Sequence, residues 1–425
     1  MRMRKFPALA LFFIFILPAL TGAQSKNETI FKQTFTKYKD VVVRLSNNQG
    51  MGSGFLTAEG FVITADHVVG TSVNVQMDYN GQHFFLRPCY RDHANDIAIL
   101  YPLGYSTGKN DYKDVPYNYL KGKSKISVTV PNITPGEQIM VMGYPYGIIE
   151  LKRILGTYKD EVYRYMENVP LYACDLPVIK GCSGGPVFNA KEEVIGIAVK
   201  FEIKPTDTEY LISYVSPAKN IEQILKNLDK KYMDMIDKID KNIPGFSLAQ
   251  NNMVKLKTKF ISGKNIKTVE ESGTEYIVNK AKSGYYVYND NSISAVNMFF
   301  DLYMDTVAKN KRESPCVFEI YLKWVDEKNY VSMKLDMDEN RYFFVYMIDG
   351  QEEIKEPIIE MPIVSETMYN IEFFTADRTM GIFFDNIPVY YDSNLPFESG
   401  SCGIFFSEMK TLIIQDLLIR IPKKY

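Results

Sequence analysis

Between residue 41 and about residue 216, apolar residues come only in short runs, each stopped by Gly, Pro, Asn or Asp: GFVITADHVV, DIAILYPL, QIMVMGYP, EVIGIAVKF and YLISYVSP. Runs this short and this often interrupted do not sustain a helical face. They predict strands joined by tight turns, in an all-β barrel or sandwich. ETIFKQTFTKYKD (28–40) ahead of them predicts a short helix. At 218–242 the period changes. Ile221, Ile224, Leu225 and Leu228 recur at helical spacing with charges between them, which predicts a closing helix and then a charged connection ending near Pro244 and Gly245. Asp234, Asp237 and Asp240 on it read as a solvated face, because the glycine and final glutamate of a calcium loop are missing. A second β-rich region follows: TEYIVN, GYYVYN, VFEIYLKWV, YVSMKLDM, RYFFVYMI, YNIEFFTA, GIFFDNIPVYY, GSCGIFFSE and TLIIQDLLIRI, with hairpin-forming residues between them. This predicts an antiparallel sandwich over 247–425.

The chain's 425 residues leave room for two cores. A formal net charge of −2 provides no field to steer it to nucleic acid or an anionic membrane. At the N-terminus, Arg2, Arg4 and Lys5 precede an apolar run from Ala8 to Leu17, then Pro18, with Thr21 and Ala23 as the small residues of a cleavage site. Residues 1–23 therefore read as a signal peptide, and the remainder as exported with no later membrane span. Export permits disulfides, but Cys89, Cys174, Cys182, Cys316 and Cys402 make no dense framework, although Cys316 and Cys402 could pair. His67, His83 and His93 show no zinc spacing with cysteines, so neither a metal nor a cofactor is implied.

Three segments carry chemistry together. GMGSGFLTAEGFVITADHVVG ends an apolar run at His67, DHANDIAIL opens one at Asp96, and KGCSGGPVFN holds Ser183 among small residues. A histidine after a strand, or an aspartate before one, is by itself most often structural. The glycines around Ser183 are more specific. A nucleophilic serine needs a tight bend that frees its Oγ and lets two backbone N–H groups converge on an oxyanion. His, Asp, Ser is also one of the chain orders that build a charge-oriented nucleophile.

Residues 41–228 resemble the trypsin-like serine proteases of the HtrA/DegP type. The likeness rests on GSGF, TADHVV, NDIAIL, GEQIMVMGYPYG, CDLPVIKGCSGGPVFN, EVIGIAV and SYVSPAKNIEQIL. It implies two six-stranded β-barrels over 28–228 with a cleft between them. In that cleft Ser183 would attack, His67 would act as base and then acid, and Asp96 would orient the imidazole. The N–H groups of Gly181 and Ser183 would form the oxyanion hole. Cys182 stands where the HtrA branch commonly has Asn; a packing thiol, a pair with Cys174 and an oxidation switch all remain open. Pro177, Ala198 and Val199 would line an apolar primary pocket. Asp92 and His93 read as surface residues, and His83 as structural.

No PDZ-like carboxylate loop follows. Residues 229–246 read as a charged helical linker. Beyond it FEIYLKWVDEKNYVSMKLDM, MYNIEFFTADRTMGIFFDNIPVYYDS and SGSCGIFFSE resemble concanavalin A-like (laminin G-like) jelly rolls. That likeness implies a module binding a glycan or protein, or assembling a homo-oligomer, with Trp324 in its core. The combined expectation is an all-β, exported serine endopeptidase acting on polypeptides of the envelope or exterior. The alternative is a non-catalytic adhesin on a protease-derived scaffold.

Overall fold

A computed structural model describes residues 26–422, apart from 48–49, 71–74, 109–110, 165–168, 205–209, 229, 235, 237–252, 256–260, 272–273, 289–294 and 377. The expected signal peptide lies outside the described residues.

Two closed six-stranded barrels form the first half. The first uses Val42–Ser46, Met51–Leu56, Val62–Thr64, Val75–Tyr79, Gln82–Asp92 and Ile97–Ser106. It closes because Val62–Thr64 pairs on both sides, with Ile63 opposite Phe55 on one and opposite Ile99 on the other. The second runs through Gln138–Gly143, Lys152–Arg164, Val169–Asp175, Pro186–Asn189, Val194–Lys204 and Tyr210–Pro217. Closure leaves no free sheet edge, and inward Leu45, Phe55, Met77, Leu86, Ile139, Val141 and Val187 are fully buried.

Helix α1 spans residues 26–38, close to the expected stretch. It buries Phe31 and stacks Tyr38 on Phe188 of the second barrel at 5.3 Å. Helix α2 is the single turn Asp66–Val69, and helix α3, Ala218–Asn227, buries Ala218, Ile221 and Ile224 as its periodicity predicts. The stretch after α3 is more than a charged tether. Tyr232, Met233 and Ile236 are buried, and Tyr232 Oη donates to Cys89 O at 2.6 Å. Asp234 is exposed, whereas Asp237 and Asp240 lie outside the described residues.

The second half is a two-sheet antiparallel sandwich, among the described residues one sheet of eight strands and one of seven. Aromatic pairs join the sheets: Phe300 with Phe318, Tyr342 with Phe384, and Phe344 with Tyr390, whose ring centroids are 4.1 Å apart. Ala295–Thr306, absent from the runs picked out of the sequence, is a central strand paired with both Thr367–Ala376 and Met409–Pro422. The Cys316–Cys402 pair is not made; all five thiols are free and buried. The ladder explains this. Val317 faces Ser407 and Tyr321 faces Gly403, so Cys402 sits about six strand steps of ~3.3 Å from Cys316, beyond disulfide reach. Trp324 is half-buried rather than a core residue, stacked on Tyr330 at 5.2 Å.

The sandwich docks on the first barrel. Strand Ile387–Asp392 packs against Gln82–Asp92, and the Arg87 guanidinium lies over the Phe383 ring at 5.3 Å.

Candidate active site

At the seam between the barrels the structure brings His67, Asp96 and the Ser183 loop to one place. Helix α2 carries His67. A one-turn helix cannot hold itself, since nucleation costs more than one turn of hydrogen bonds returns. Side chains tether it instead. Asn47 Nδ2 donates to Val68 O at 2.8 Å and to Val69 O at 2.9 Å, satisfying its C-terminal carbonyls. Asp96, in a left-handed turn with φ 54°, accepts twice from His67: from its backbone N at 2.9 Å and from Nδ1 at 2.7 Å. With Nδ1 as donor, Nε2 of the neutral ring is left as an acceptor. Burial alone would lower the pKa of His67, but the hydrogen bond and charge of Asp96, with the nearby charge of Asp66, raise it above the ordinary histidine value.

The Ser183 loop is pinned to the first barrel by Ser53, which the sequence offered only within GSGF. Ser53 N donates to Ser183 O at 2.8 Å, Ser53 Oγ donates to Gly181 O at 2.7 Å, and Tyr144 N donates to Ser53 Oγ at 2.9 Å. Glycine at 184 is a steric requirement. Its φ is +82°, and a Cβ there would stand 2.2 Å from both Ser53 O and Thr64 Oγ1 and 2.8 Å from Ala65 N. The same shortage of space that excludes a side chain seats the serine loop beside the segment leading into His67.

The turn 179–182 closes with Cys182 N donating to Ile179 O at 3.1 Å, and Gly181 within it has φ +99°. Lys180 O is turned towards Tyr146 N at 2.6 Å. In a trans peptide the N–H points opposite to the C=O, so the Gly181 N–H faces the other way. Among the described residues neither Gly181 N nor Ser183 N has a hydrogen-bond partner. Two neighbouring N–H groups left open beside a half-exposed serine can receive an anionic oxygen. No hydrogen bond joins Ser183 Oγ to His67 in this structure; such contacts commonly tighten only around bound substrate.

An open cleft of about 840 Å³ adjoins His67 and Asp96, walled by Val199, Tyr214, Glu366 and Met368 among others. Val199 is on the lining. Ala198 is buried behind the wall, exchanging backbone hydrogen bonds with Gly184 and Gly185. Pro177 is exposed and off the lining. Val178 N bonds back to Leu176 O at 2.7 Å, and Ser213 Oγ holds the same carbonyl at 2.6 Å, which turns Pro177 outward. Lys180 is exposed.

Cys182 is fully buried, burial pushes its thiol pKa up, and it is unpaired with Cys174. That environment favours a packing thiol over a reactive one. His83 bonds to Asp78 at 2.6 Å on the surface. The reading of Asp92 and His93 as surface residues is wrong: Asp92 is buried, holding Asn95 through two hydrogen bonds, and the His93 ring is 11% exposed between two carboxylates. Among the described residues no group of His, Cys, Asp and Glu is arranged to hold a metal ion.

The paired six-stranded barrels, with a histidine–aspartate pair and a glycine-framed serine at their seam, coincide with a match of residues 52–197 to the model of the trypsin-like peptidase domain. Two similar curated proteins are probable periplasmic serine endoproteases described as DegP-like. One, from Pseudomonas fluorescens, is 29% identical over 154 residues, covering 35% of this chain and 29% of the relative. The other, from Ectopseudomonas mendocina, is 26% identical over 185 residues, covering 43% and 36%. The chain thus spans well under half the length of these relatives. Among solved structures, the active form of the Rv3671c protease from M. tuberculosis is 21% identical with TM-score 0.37, covering 45% of this chain and 82% of that one. A serine endoprotease from Yersinia pestis is 18% identical with TM-score 0.34, covering 47% and 66%. Among the described residues no helix is long and apolar enough to cross a membrane.

Proposed function

We propose that this chain is an exported serine endopeptidase of the HtrA/DegP type. Ser183 Oγ attacks the scissile carbonyl while His67 Nε2 takes its proton, and the acyl-enzyme forms as His67 returns that proton to the leaving amine. Asp96 remains ionised, fixes the imidazole tautomer and stabilises the imidazolium. The N–H groups of Gly181 and Ser183 hold the oxyanion of each tetrahedral intermediate. Water then attacks the acyl carbon by the same route and releases the second product. The observation that carries this reading is the double hydrogen bond that His67 donates to Asp96, on a turn packed against the loop of an accessible serine.

The substrates are polypeptides of the envelope or exterior. Val162, Leu171, Ala173, Val199 and Ile212 give one wall of the cleft an apolar lining, which favours small to medium aliphatic side chains at the residue before the cut. The sandwich is a binding or assembly module on the peptidase.

The test is active-site labelling with a fluorophosphonate, alongside cleavage of casein. The wild type should label and cleave, and Ser183→Ala should do neither. A folded wild type that shows neither, across a range of temperature and redox conditions, would overturn the peptidase reading in favour of a non-catalytic recognition protein.

A further inference from the structure

The sandwich meets the peptidase half in a buried cluster of four charged groups one residue away from His67. His93 Nδ1 lies 2.5 Å from Asp66 Oδ2, and its Nε2 lies 2.5 Å from Asp385 Oδ2 of the sandwich. Arg91 Nε donates to the other Asp66 oxygen at 2.6 Å, and Arg91 Nη1 is 3.9 Å from Asp385 Oδ1. Carboxylates can only accept when ionised, so His93 between two of them donates from both nitrogens as an imidazolium. Two cations and two anions cancel, which is what allows them to be buried together.

The sandwich side is built to aim its carboxylate. Asp385 and Asn386 form the turn of a hairpin, with φ of 51° and 63°, conformations that Asp and Asn tolerate well. Asp385 N donates to Asn370 O at 2.6 Å, and Asn370 N donates to Asp385 Oδ1 at 2.7 Å, leaving Oδ2 for His93. The Tyr369 ring meets the His93 ring edge-on at 5.1 Å.

On the peptidase side, Asp66 is the first residue of α2 and His67 the second. Helix α2 has no side-chain cap of its own and depends on tethers. Asn47 holds its C-terminal end and Asp96 holds His67, so Asp66 is the remaining anchor. One of the two cations gripping Asp66 is His93, and His93 is oriented by Asp385.

We propose that the sandwich belongs to the catalytic apparatus, with Asp385 a positioning residue that acts through His93 and Asp66 to fix His67 for proton transfer. This rests on the serine-peptidase reading above. Glu366, Thr367 and Met368 of the same sandwich face wall the cleft beside His67, so docking completes both the base and the trough in front of it.

The test uses the full-length chain with Asp385→Asn. Asparagine suits the left-handed turn and keeps an oxygen for Asn370 N, so the change removes charge with little change of shape. Fluorophosphonate labelling and kcat on a fluorogenic peptide should fall about tenfold or more while KM stays within about twofold, as expected when transition-state geometry rather than substrate binding is lost. The NMR titration of His93 should move to lower pH. Ile404→Ala, which opens the sandwich core away from the cluster, should lower Tm yet leave kcat unchanged well below the melting range. If Asp385→Asn does not fold, His93→Gln is read in the same assays. A wild type that labels alongside a folded Asp385→Asn labelling equally fast overturns this proposal alone. Equal loss of kcat in Ile404→Ala also overturns it, since general stability would then account for the effect. A wild type that does not label overturns the peptidase reading, and this proposal with it.

Discussion

Replacing Gly181 by alanine tests the oxyanion turn where its geometry is tightest. A Cβ at this position would stand 2.4 Å from Tyr144 O, 2.8 Å from Tyr146 N and 3.0 Å from Gly147 N. All three are backbone atoms, so no side-chain rotation relieves the overlap, and the turn itself has to move. The φ of +99° adds strain of about 1–3 kcal/mol for any residue with a side chain. The motion that opens space lengthens the bond from Tyr146 N to Lys180 O, now 2.6 Å, and that bond holds the 180–181 peptide with its N–H turned towards the serine. Losing one oxyanion donor costs roughly 10²–10³ in kcat, about 2.7–4 kcal/mol. We expect kcat on a fluorogenic peptide to fall by that factor with KM changed little. The fluorophosphonate labelling rate should fall in parallel, because the phosphoryl oxygen uses the same hole. Circular dichroism would establish that the variant is folded. A folded Gly181→Ala with kcat within about threefold of wild type would refute the assignment of the Gly181 N–H to the oxyanion.

Three further expectations follow from the same contacts. Because the environment of His67 raises its pKa, the acid limb of kcat/KM should lie above the ordinary histidine range, and Asp66→Asn, which removes one raising charge, should move that limb to lower pH. The buried Cys182 thiol should resist iodoacetamide in the native protein and react only on unfolding, and peroxide should leave labelling of Ser183 unchanged; rapid native alkylation would contradict the packing role. His93 faces Asp66 on α2, Asp385 on the sandwich turn, Arg91 near the end of strand Gln82–Asp92 across Asp66, and the edge of Tyr369; burial opposes its charge, but the two carboxylates raise its pKa to about 10. A pKa raised on folding gives stability that is complete below the unfolded value near 6.5 and is lost as pH rises through about 10, so Tm should decline over that window, less steeply in His93→Gln.

The parts of the candidate site that the sequence offered are those whose chemistry dictates residue type at short range. His67 needs a strand before it and Asp96 a turn, and the serine needs glycines on both sides; each requirement is satisfied within a few residues. What remained hidden depends on partners distant in sequence. His93 and Asp385 are 292 positions apart, and DHAND reads as a solvated polar stretch until the sandwich covers it. Pro177 was misplaced because the residues that turn it outward, Leu176, Val178 and Ser213, come from two separate segments. The strand Ala295–Thr306 escaped because successive residues on both of its faces are buried, Val296 to Met298 and Phe300 to Leu302, so its sequence carries no clean alternation. Turn punctuation alone reached an all-β barrel or sandwich, the two six-stranded barrels came with the family resemblance, and α3 followed from its apolar stripe.

The docking of the sandwich links the width of the trough to the charge cluster behind α2. Its segment Glu366–Met368 forms one wall of the trough, and its Asp385 completes the charge cluster behind α2. Swinging the sandwich outward to widen the trough would withdraw Asp385 from His93. Asp66 would then share its charge with an imidazole that had lost its second anion and had water at hand. The two sides do not separate easily, because a buried pair broken on one side leaves an uncompensated charge on the other, a loss of about 3–5 kcal/mol. The packing of Ile387–Asp392 on Gln82–Asp92 and of Arg87 on Phe383 adds to that resistance. Cleft width and the placement of the base therefore change together. A substrate that fits between the barrels and the sandwich would meet an ordered His67, and a displaced sandwich would leave α2 held by Asn47, Asp96, Arg91 and a His93 without its second carboxylate.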